Sequence, residues 1–381
     1  MHNKIWLSPP HMSGNELSFI EDALKKNWVT SKGENIDEFE KSLSFFLKND
    51  VKVCVLNSAT SAIHLSLVML GVTFGNEIIT SSFSFCASAN PITYCGATPI
   101  FIDSEEDTWN MCPIALEEAI EDRISKSRKP KAIIVVHLYG MPAKIDEIIA
   151  VAEKYNIPII EDAAEALGST YKGKACGTFG RYGILSFNGN KIITTSGGGA
   201  LVCNNQEDKD KAVFLSTQAR DNAPHYQHSQ IGYNYRMSNI VAGIGRGQME
   251  VLNDRVEARR KMNDFYIRIF KDIEGVEVFS EPTEDFYSNH WLSAIVVDEN
   301  KAGKTREDLR LALLEDNIES RPLWKPMHLQ PVFSDAPYYG TNVAEKLFDD
   351  GLCLPSGSNL SDDERSRIEK VIRNVFSKKS F

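Results

Sequence analysis

From Lys52 onward, short apolar runs alternate with longer stretches whose apolar residues recur every third or fourth position. The runs 52–56, 78–81, 99–102, 132–138 and 158–162 read as buried strands, being short and rich in Val and Ile. Between them, 59–70 puts Ile63, Leu67 and Leu70 on one face, 114–125 and 144–155 keep a helical period, and 88–94 reads as a shorter helical segment. This alternation predicts an α/β fold with a mostly parallel sheet covered on both faces. In such sheets ligands collect beyond the carboxyl ends of the strands. Ser58, His137 and Asp162 stand at or just after strand ends, and so are expected to converge.

The flanks fill in the plan. Two amphipathic helices precede the rhythm, at 14–27 (Leu17, Ile20, Leu24) and 36–47 (Phe39, Leu43, Phe46). A strand at 183–187 follows it, then a helix at 206–218, a polar and aromatic loop at 220–235, and helices from 238 to about 270. Strand signals at 276–279 and 291–297 with helices at 305–316 and 362–376 predict a smaller α+β domain. The expected division is a large domain over 14–250 and a small one over 251–381, with 1–13 packing on the latter.

Charge and composition narrow the function. The 381 residues hold 42 basic and 52 acidic side chains, a net charge of −10 that argues against a nucleic-acid partner. The N-terminal segment lacks the apolar core of a signal peptide, and the most apolar run, 132–136, is far too short to cross a bilayer. Seven scattered cysteines without a C-x-x-C pair fit a reduced, cytoplasmic setting. His225 and His228 have a spacing seen in metal sites, but no neighbouring ligand pattern completes one, so no metal is expected.

The stretch 186–199, SFNGNKIITTSGGG, carries the most distinctive chemistry. A strand ends in Asn188-Gly189-Asn190, and Lys191 follows, where a tight turn aims its amine. Ser58 is a good cap for the helix after it, whose first free amides suit an anion. No Walker lysine or G-x-G-x-x-G accompanies it, which sets ordinary nucleotide loops aside. Asp162 ends an apolar strand and needs a partner there, either a protonated heterocyclic nitrogen or an ordinary Arg or Lys. Phe83 and Phe85 follow the next strand. A lysine for an aldehyde, an anion nest for a phosphate and a carboxylate for a pyridinium nitrogen together match the needs of pyridoxal phosphate.

Further motifs in order carry a resemblance: 7–14 (LSPPHMSG), 57–65 (NSATSAIHL), 83–91 (FSFCASANP), 137–140 (HLYG), 161–168 (EDAAEALG), 177–180 (GTFG), 232–239 (GYNYRMSN) and 321–328 (RPLWKPMH). Over almost its whole length the sequence resembles the sugar aminotransferases of the DegT/DnrJ/EryC1/StrS group, fold-type I enzymes related to aspartate aminotransferase. The resemblance implies pyridoxal phosphate bonded to Lys191, with Asp162 on the pyridine nitrogen. It implies a phosphate held by the Ala59 and Thr60 amides and the Ser186 hydroxyl, and Phe85 stacked on the ring. Glu165 stands near the cofactor's 3-hydroxyl, where family members often carry Gln. Asn234 is expected to reach the phosphate of the second subunit, making a homodimer with shared sites. Trp324 and His328 fall in the segment facing the sugar or its diphosphate, and Arg220 and Arg236 are candidates for substrate or for pairing with acids. The segments 7–14, 226–228 and 351–357 look most like enzymes that move an amino group from glutamate to C4 of a UDP-linked 4-keto-6-deoxy N-acetylhexosamine, as in UDP-N-acetylbacillosamine synthesis. Two further readings stay open, an aminotransferase on another nucleotide-linked 3- or 4-keto sugar, and a regulatory protein that binds the cofactor without turnover. The related 3-dehydratases replace the lysine by histidine, so Lys191 speaks against them.

Overall fold

The computed structural model describes residues 3–48 and 50–377. Its body is a sheet of eight strands in the order Lys52–Leu56, Gly199–Cys203, Tyr182–Ser186, Ile159–Asp162, Ala132–Val136, Glu77–Ser81, Thr98–Ile102, Tyr338–Tyr339. All neighbours run parallel except Gly199–Cys203, which is antiparallel to both strands beside it. The sheet is thus mostly parallel, as the alternation predicts, and both faces are covered. Strand residues point alternately to opposite sides. Cys54, Leu56, Ile134 and Ile160 pack in one cluster with helix Ala59–Met69. Val53 and Val55 pack in another with helix Glu34–Leu47, while Ile133 and Val135 pack with helices Pro113–Ser125 and Ile145–Lys154. Phe39 of helix Glu34–Leu47 meets Phe187 with ring centroids 5.1 Å apart. Burying each such ring contributes about 1.5–3 kcal/mol, which fixes the residue that follows strand Tyr182–Ser186.

A second, antiparallel sheet has the order Val276–Val278, Ser293–Val297, Gly351–Leu354, Arg321–Pro322. It packs with residues of helices Leu252–Phe270, Arg306–Glu315 and Asp362–Ser377. Ile5 is buried in that same cluster and bridges to Ile318.

The helices expected from 238 to 270 are two, Asn239–Met249 and the long Leu252–Phe270, parted at Val251, which leaves helical geometry (φ −118, ψ 8). Two features differ from the periodicity. Gly199–Cys203 reverses direction because it returns directly from Tyr182–Ser186 without a helical crossover. Tyr338–Tyr339, too short to show a period, leaves the C-terminal region to complete the large sheet. It is fixed there by Phe101 N–H donating to Pro337 O at 2.8 Å and by the Asp103 carboxylate accepting the amides of Thr341, Val343 and Ala344.

Candidate active site

A cavity of about 570 Å³ opens at the carboxyl ends of the central strands. Strand Ile159–Asp162 delivers Asp162, and the turn after it delivers Glu165. Strand Tyr182–Ser186 delivers Ser186, and the loop behind it Lys191. Strand Lys52–Leu56 delivers Ser58 and the start of helix Ala59–Met69.

Ser58 caps that helix, accepting the Ser61 N–H at 3.0 Å. The Ala62 amide returns to Ser58 O at 3.2 Å, which leaves the Ala59 and Thr60 amides facing the cavity wall for an anion. Gly199 makes this possible, since a Cβ there would lie 2.3 Å from the Ala59 nitrogen. Asp162 is 5 % exposed, accepting the Ser88 hydroxyl at 2.6 Å and the Ala164 N–H at 3.2 Å.

Lys191 does not sit at the apex of a tight hairpin. Its N–H closes a turn onto Asn188 O at 3.0 Å, but the connection between the two strands runs over 187–198. That loop is anchored by Ile192 and Ile193 in the core. Lys191 Nζ lies 3.1 Å from Glu165 Oε1 and 4.1 Å from the centroid of the Trp291 ring. Glu165 also accepts the Tyr139 N–H at 2.7 Å. Burial pushes the Glu165 carboxyl above its ordinary value, with the Lys191 charge pulling the other way.

Phe85 and Trp324 form one wall, with ring centroids 5.7 Å apart, and Phe85 is half exposed toward the cavity. Phe83 is buried instead. The structure therefore brings together Lys191, Ser58, Ala59, Thr60, Phe85, Asp162, Glu165, Ser186 and Trp324.

Five expected residues lie elsewhere in this chain. Arg220 lays its guanidinium over the Tyr226 ring, 4.3 Å from the centroid. Arg236 is spent behind strand Lys52–Leu56, donating to Glu40 at 2.5 Å and to Val55 O at 3.0 Å, so it is not free to meet a substrate in this cavity. His328 is held by Ser82 Oγ at 2.6 Å and Glu345 at 3.1 Å and stacks on Tyr338, which makes it a fastener of its own segment. Asn234 bridges to Thr217, touches Gln218 and accepts the Asn57 side-chain amide on its carbonyl at 3.3 Å, so it stands just behind the lining of its own chain's cavity. His137 turns under the sheet end; its Nδ1 accepts the Ala143 N–H at 3.0 Å, so Nε2 carries the proton that Glu161 receives at 3.0 Å.

Sequence reasoning passed over Ser8, Asn57, Ser88, Trp291, Glu319 and Arg321, all of which line the cavity. Ser8, Asn57, Ser88 and Arg321 fall inside the motifs that carry the resemblance but had no role of their own; Trp291 and Glu319 had no signal.

Comparison with known proteins agrees with this geometry. The profile of the DegT/DnrJ/EryC1/StrS aminotransferase family matches residues 10–374, and the chain belongs to that family. It is a pyridoxal phosphate-dependent sugar aminotransferase of the fold-type I class. EpsN of Bacillus subtilis (strain 168), assigned by name to the pyridoxal phosphate-dependent aminotransferases, is 50% identical over 380 residues, 99% of this chain and 97% of EpsN. The GDP-perosamine synthase of Escherichia coli O157:H7 is 37% identical, covering 97% of this chain and 98% of its own length. Among solved structures, the PMP form of Spr1654 from Streptococcus pneumoniae, assigned as a sugar aminotransferase, superposes with a TM-score of 0.89 at 29% identity, covering 98% of both chains.

Proposed function

We propose that this chain transfers an amino group from glutamate to C4 of a UDP-linked 4-keto-6-deoxy N-acetylhexosamine, releasing 2-oxoglutarate. The observation that carries the aminotransferase reading is the convergence of Lys191, Asp162 and the Ala59–Thr60 amides on one cavity. These residues fit the cofactor, with an amine for its aldehyde, a carboxylate for its ring nitrogen, and free amides with the Ser186 hydroxyl for its phosphate. Pyridoxal phosphate, when bound, supplies an electron sink for a carbanion. The chain's own groups do the rest. Lys191 Nζ takes the proton from the donor's α-carbon and later delivers one to C4 of the sugar. Asp162 keeps the heterocyclic nitrogen protonated, and its bond from Ser88 holds it in place. Glu165 compensates the Lys191 charge at a contact where both side chains are largely buried. Phe85 and Trp324 offer aromatic faces to the flat ring and the sugar.

Our reading includes the two bodies 14–250 and 251–381, with 1–13 on the second, supported by the separate core around Ile5, Tyr266 and Ile295. It also includes a homodimer in which Asn234 serves the neighbouring site, supported by its side chain turning to Gln218 rather than into its own cavity. A GDP-linked 4-keto sugar is the competing substrate, favoured by the 37% identity to a GDP-perosamine synthase. Incubation with glutamate and a panel of UDP-, GDP- and dTDP-linked 3- and 4-keto sugars decides between them. Amination of the UDP sugar alone is expected. A preference for the GDP sugar replaces the substrate, and no product with any member sinks the proposal.

A further inference from the structure

Around the carbonyl that precedes Lys191, four segments far apart in sequence close a ring of hydrogen bonds. Asn190 O accepts two donors, Ser8 Oγ at 2.6 Å and Trp291 Nε1 at 2.6 Å. Ser8 Oγ in turn accepts from Arg259 Nη2 at 2.9 Å, and Arg259 Nη1 donates to Trp291 O at 2.6 Å. Arg259 thus grips both residues that grip Asn190. Arg259 is 1 % exposed and has no carboxylate against it among the described residues, and burial, with the nearby Arg255 charge, pulls its guanidinium down to about 9. A buried cation matched only by a carbonyl and a hydroxyl is costly, and packing alone gives no reason for it. What the ring does is orient an indole. Trp291 lays its face 4.1 Å from Lys191 Nζ, while its edge holds the backbone one residue before.

We infer that Trp291, Ser8 and Arg259 are positioning residues for Lys191: the ring of bonds fixes the Asn190 carbonyl, and with it the indole face that sets the direction and charge preference of the amine. The inference rests on Lys191 being the cofactor lysine. An aromatic face favours the protonated amine by electrostatics, and the fixed carbonyl limits the rotations open to the lysine stem. The N-terminal segment therefore completes the site through Ser8. The other charged groups around this amine are Glu165 at 3.1 Å, Asp162 beside Glu165, and Glu319 and Arg321 on the cavity wall.

The test uses the full chain loaded with pyridoxal phosphate, as wild type, W291L, W291F and S8A. The first readout is the midpoint pH of the absorbance band that reports the lysine–cofactor link. W291L, which loses the face, is expected to shift it down by about half a pH unit or more, while W291F, which keeps a ring, stays near wild type. The second readout is the single-turnover rate with glutamate per bound cofactor. S8A and W291F are expected to slow by about tenfold, at a KM for glutamate close to wild type. A residue that only supports the fold would lower the thermal midpoint and move neither readout. The inference is overturned if W291L keeps the wild-type pH midpoint, or if S8A and W291F turn over at the wild-type rate. A wild-type chain that forms no such band overturns the cofactor-lysine assignment instead, so the two failures are distinct.

Discussion

Lys191 Nζ works between a carboxylate and an indole face, and both can be tested one residue at a time. Lys191→Ala removes the group proposed to move the proton, so turnover should fall about a thousandfold or more and the lysine-linked absorbance should vanish; full activity would end the assignment. Glu165 makes a second prediction. Its carboxyl is pushed above 4.5 by burial. The folded chain thus holds a proton that the unfolded chain releases, and stability falls as pH rises from about 4.5 toward the folded value. Glutamine cannot release that proton, so Glu165→Gln without cofactor should gain stability over wild type as pH climbs from 4 to 7. Urea midpoints across that range measure it, and a difference that stays flat with pH contradicts it. Some of this was legible in the sequence. Lys191 and Asp162 carry local signals, a turn before one and an apolar strand before the other. Trp291 and Arg259 carry none, because each looks ordinary among its neighbours, and Ser8 belongs to a motif without a role of its own; all three acquire one only when distant segments meet. Arg236 illustrates the converse, since its charge suits a substrate but its partner Glu40 is visible only in the fold.

At the scale of elements, the proposed phosphate-binding end of helix Ala59–Met69 depends on a cap and a glycine. Ser58→Ala should cost about 1 kcal/mol of stability and weaken pyridoxal phosphate binding, read by thermal unfolding and by cofactor titration. Gly199→Ala should do more damage, because its Cβ would meet the Ala59 nitrogen at 2.3 Å and Ser58 C at 2.4 Å, backbone atoms that cannot swing aside. Overpacking of this kind costs about 1–3 kcal/mol, and the displaced amides should bind phosphate poorly. Helix Glu16–Lys25 is tied to Asn239–Met249 through Glu16, which accepts the amides of Ser13 and Gly14 and the Gln248 side chain. Burial alone would raise the Glu16 carboxyl, but these donors outweigh it and hold it at about 2. Its contribution is therefore present above about pH 4.5 and is lost as pH falls toward 2. Glu16→Gln should lose about 2 kcal/mol at pH 7 after allowance for solvent screening, with the deficit shrinking by pH 3. Periodicity alone reveals most helices and most of the longer strands here, since their apolar faces are wide. It is silent on Arg321–Pro322 and Tyr338–Tyr339, where two residues show no period, and on Gly199–Cys203, which opens on Gly199 and Ala200 rather than on an apolar run.

For the molecule as a whole, the proposed sharing of sites has a consequence that mixing can expose. Lys191→Ala and Asn234→Ala chains are each expected to be deficient. A mixed dimer of the two would pair an intact Lys191 with an intact Asn234 in one of its sites. Random exchange should therefore restore about a quarter of wild-type activity, whereas no recovery would mean that Asn234 serves its own chain; solution mass settles whether dimers form at all. The strand Tyr338–Tyr339 matters in another way. It covers the hydrogen-bonding edge of Thr98–Ile102 from very late in the chain. A polypeptide leaving the ribosome N-terminus first has made nearly all of its large sheet while that edge still lies open, and open edges pair with other chains. Translation that stalls before residue 338, or a frameshift there, would leave an almost finished sheet with an adhesive border, so chaperone demand should peak late in synthesis, when the fold is otherwise nearly complete.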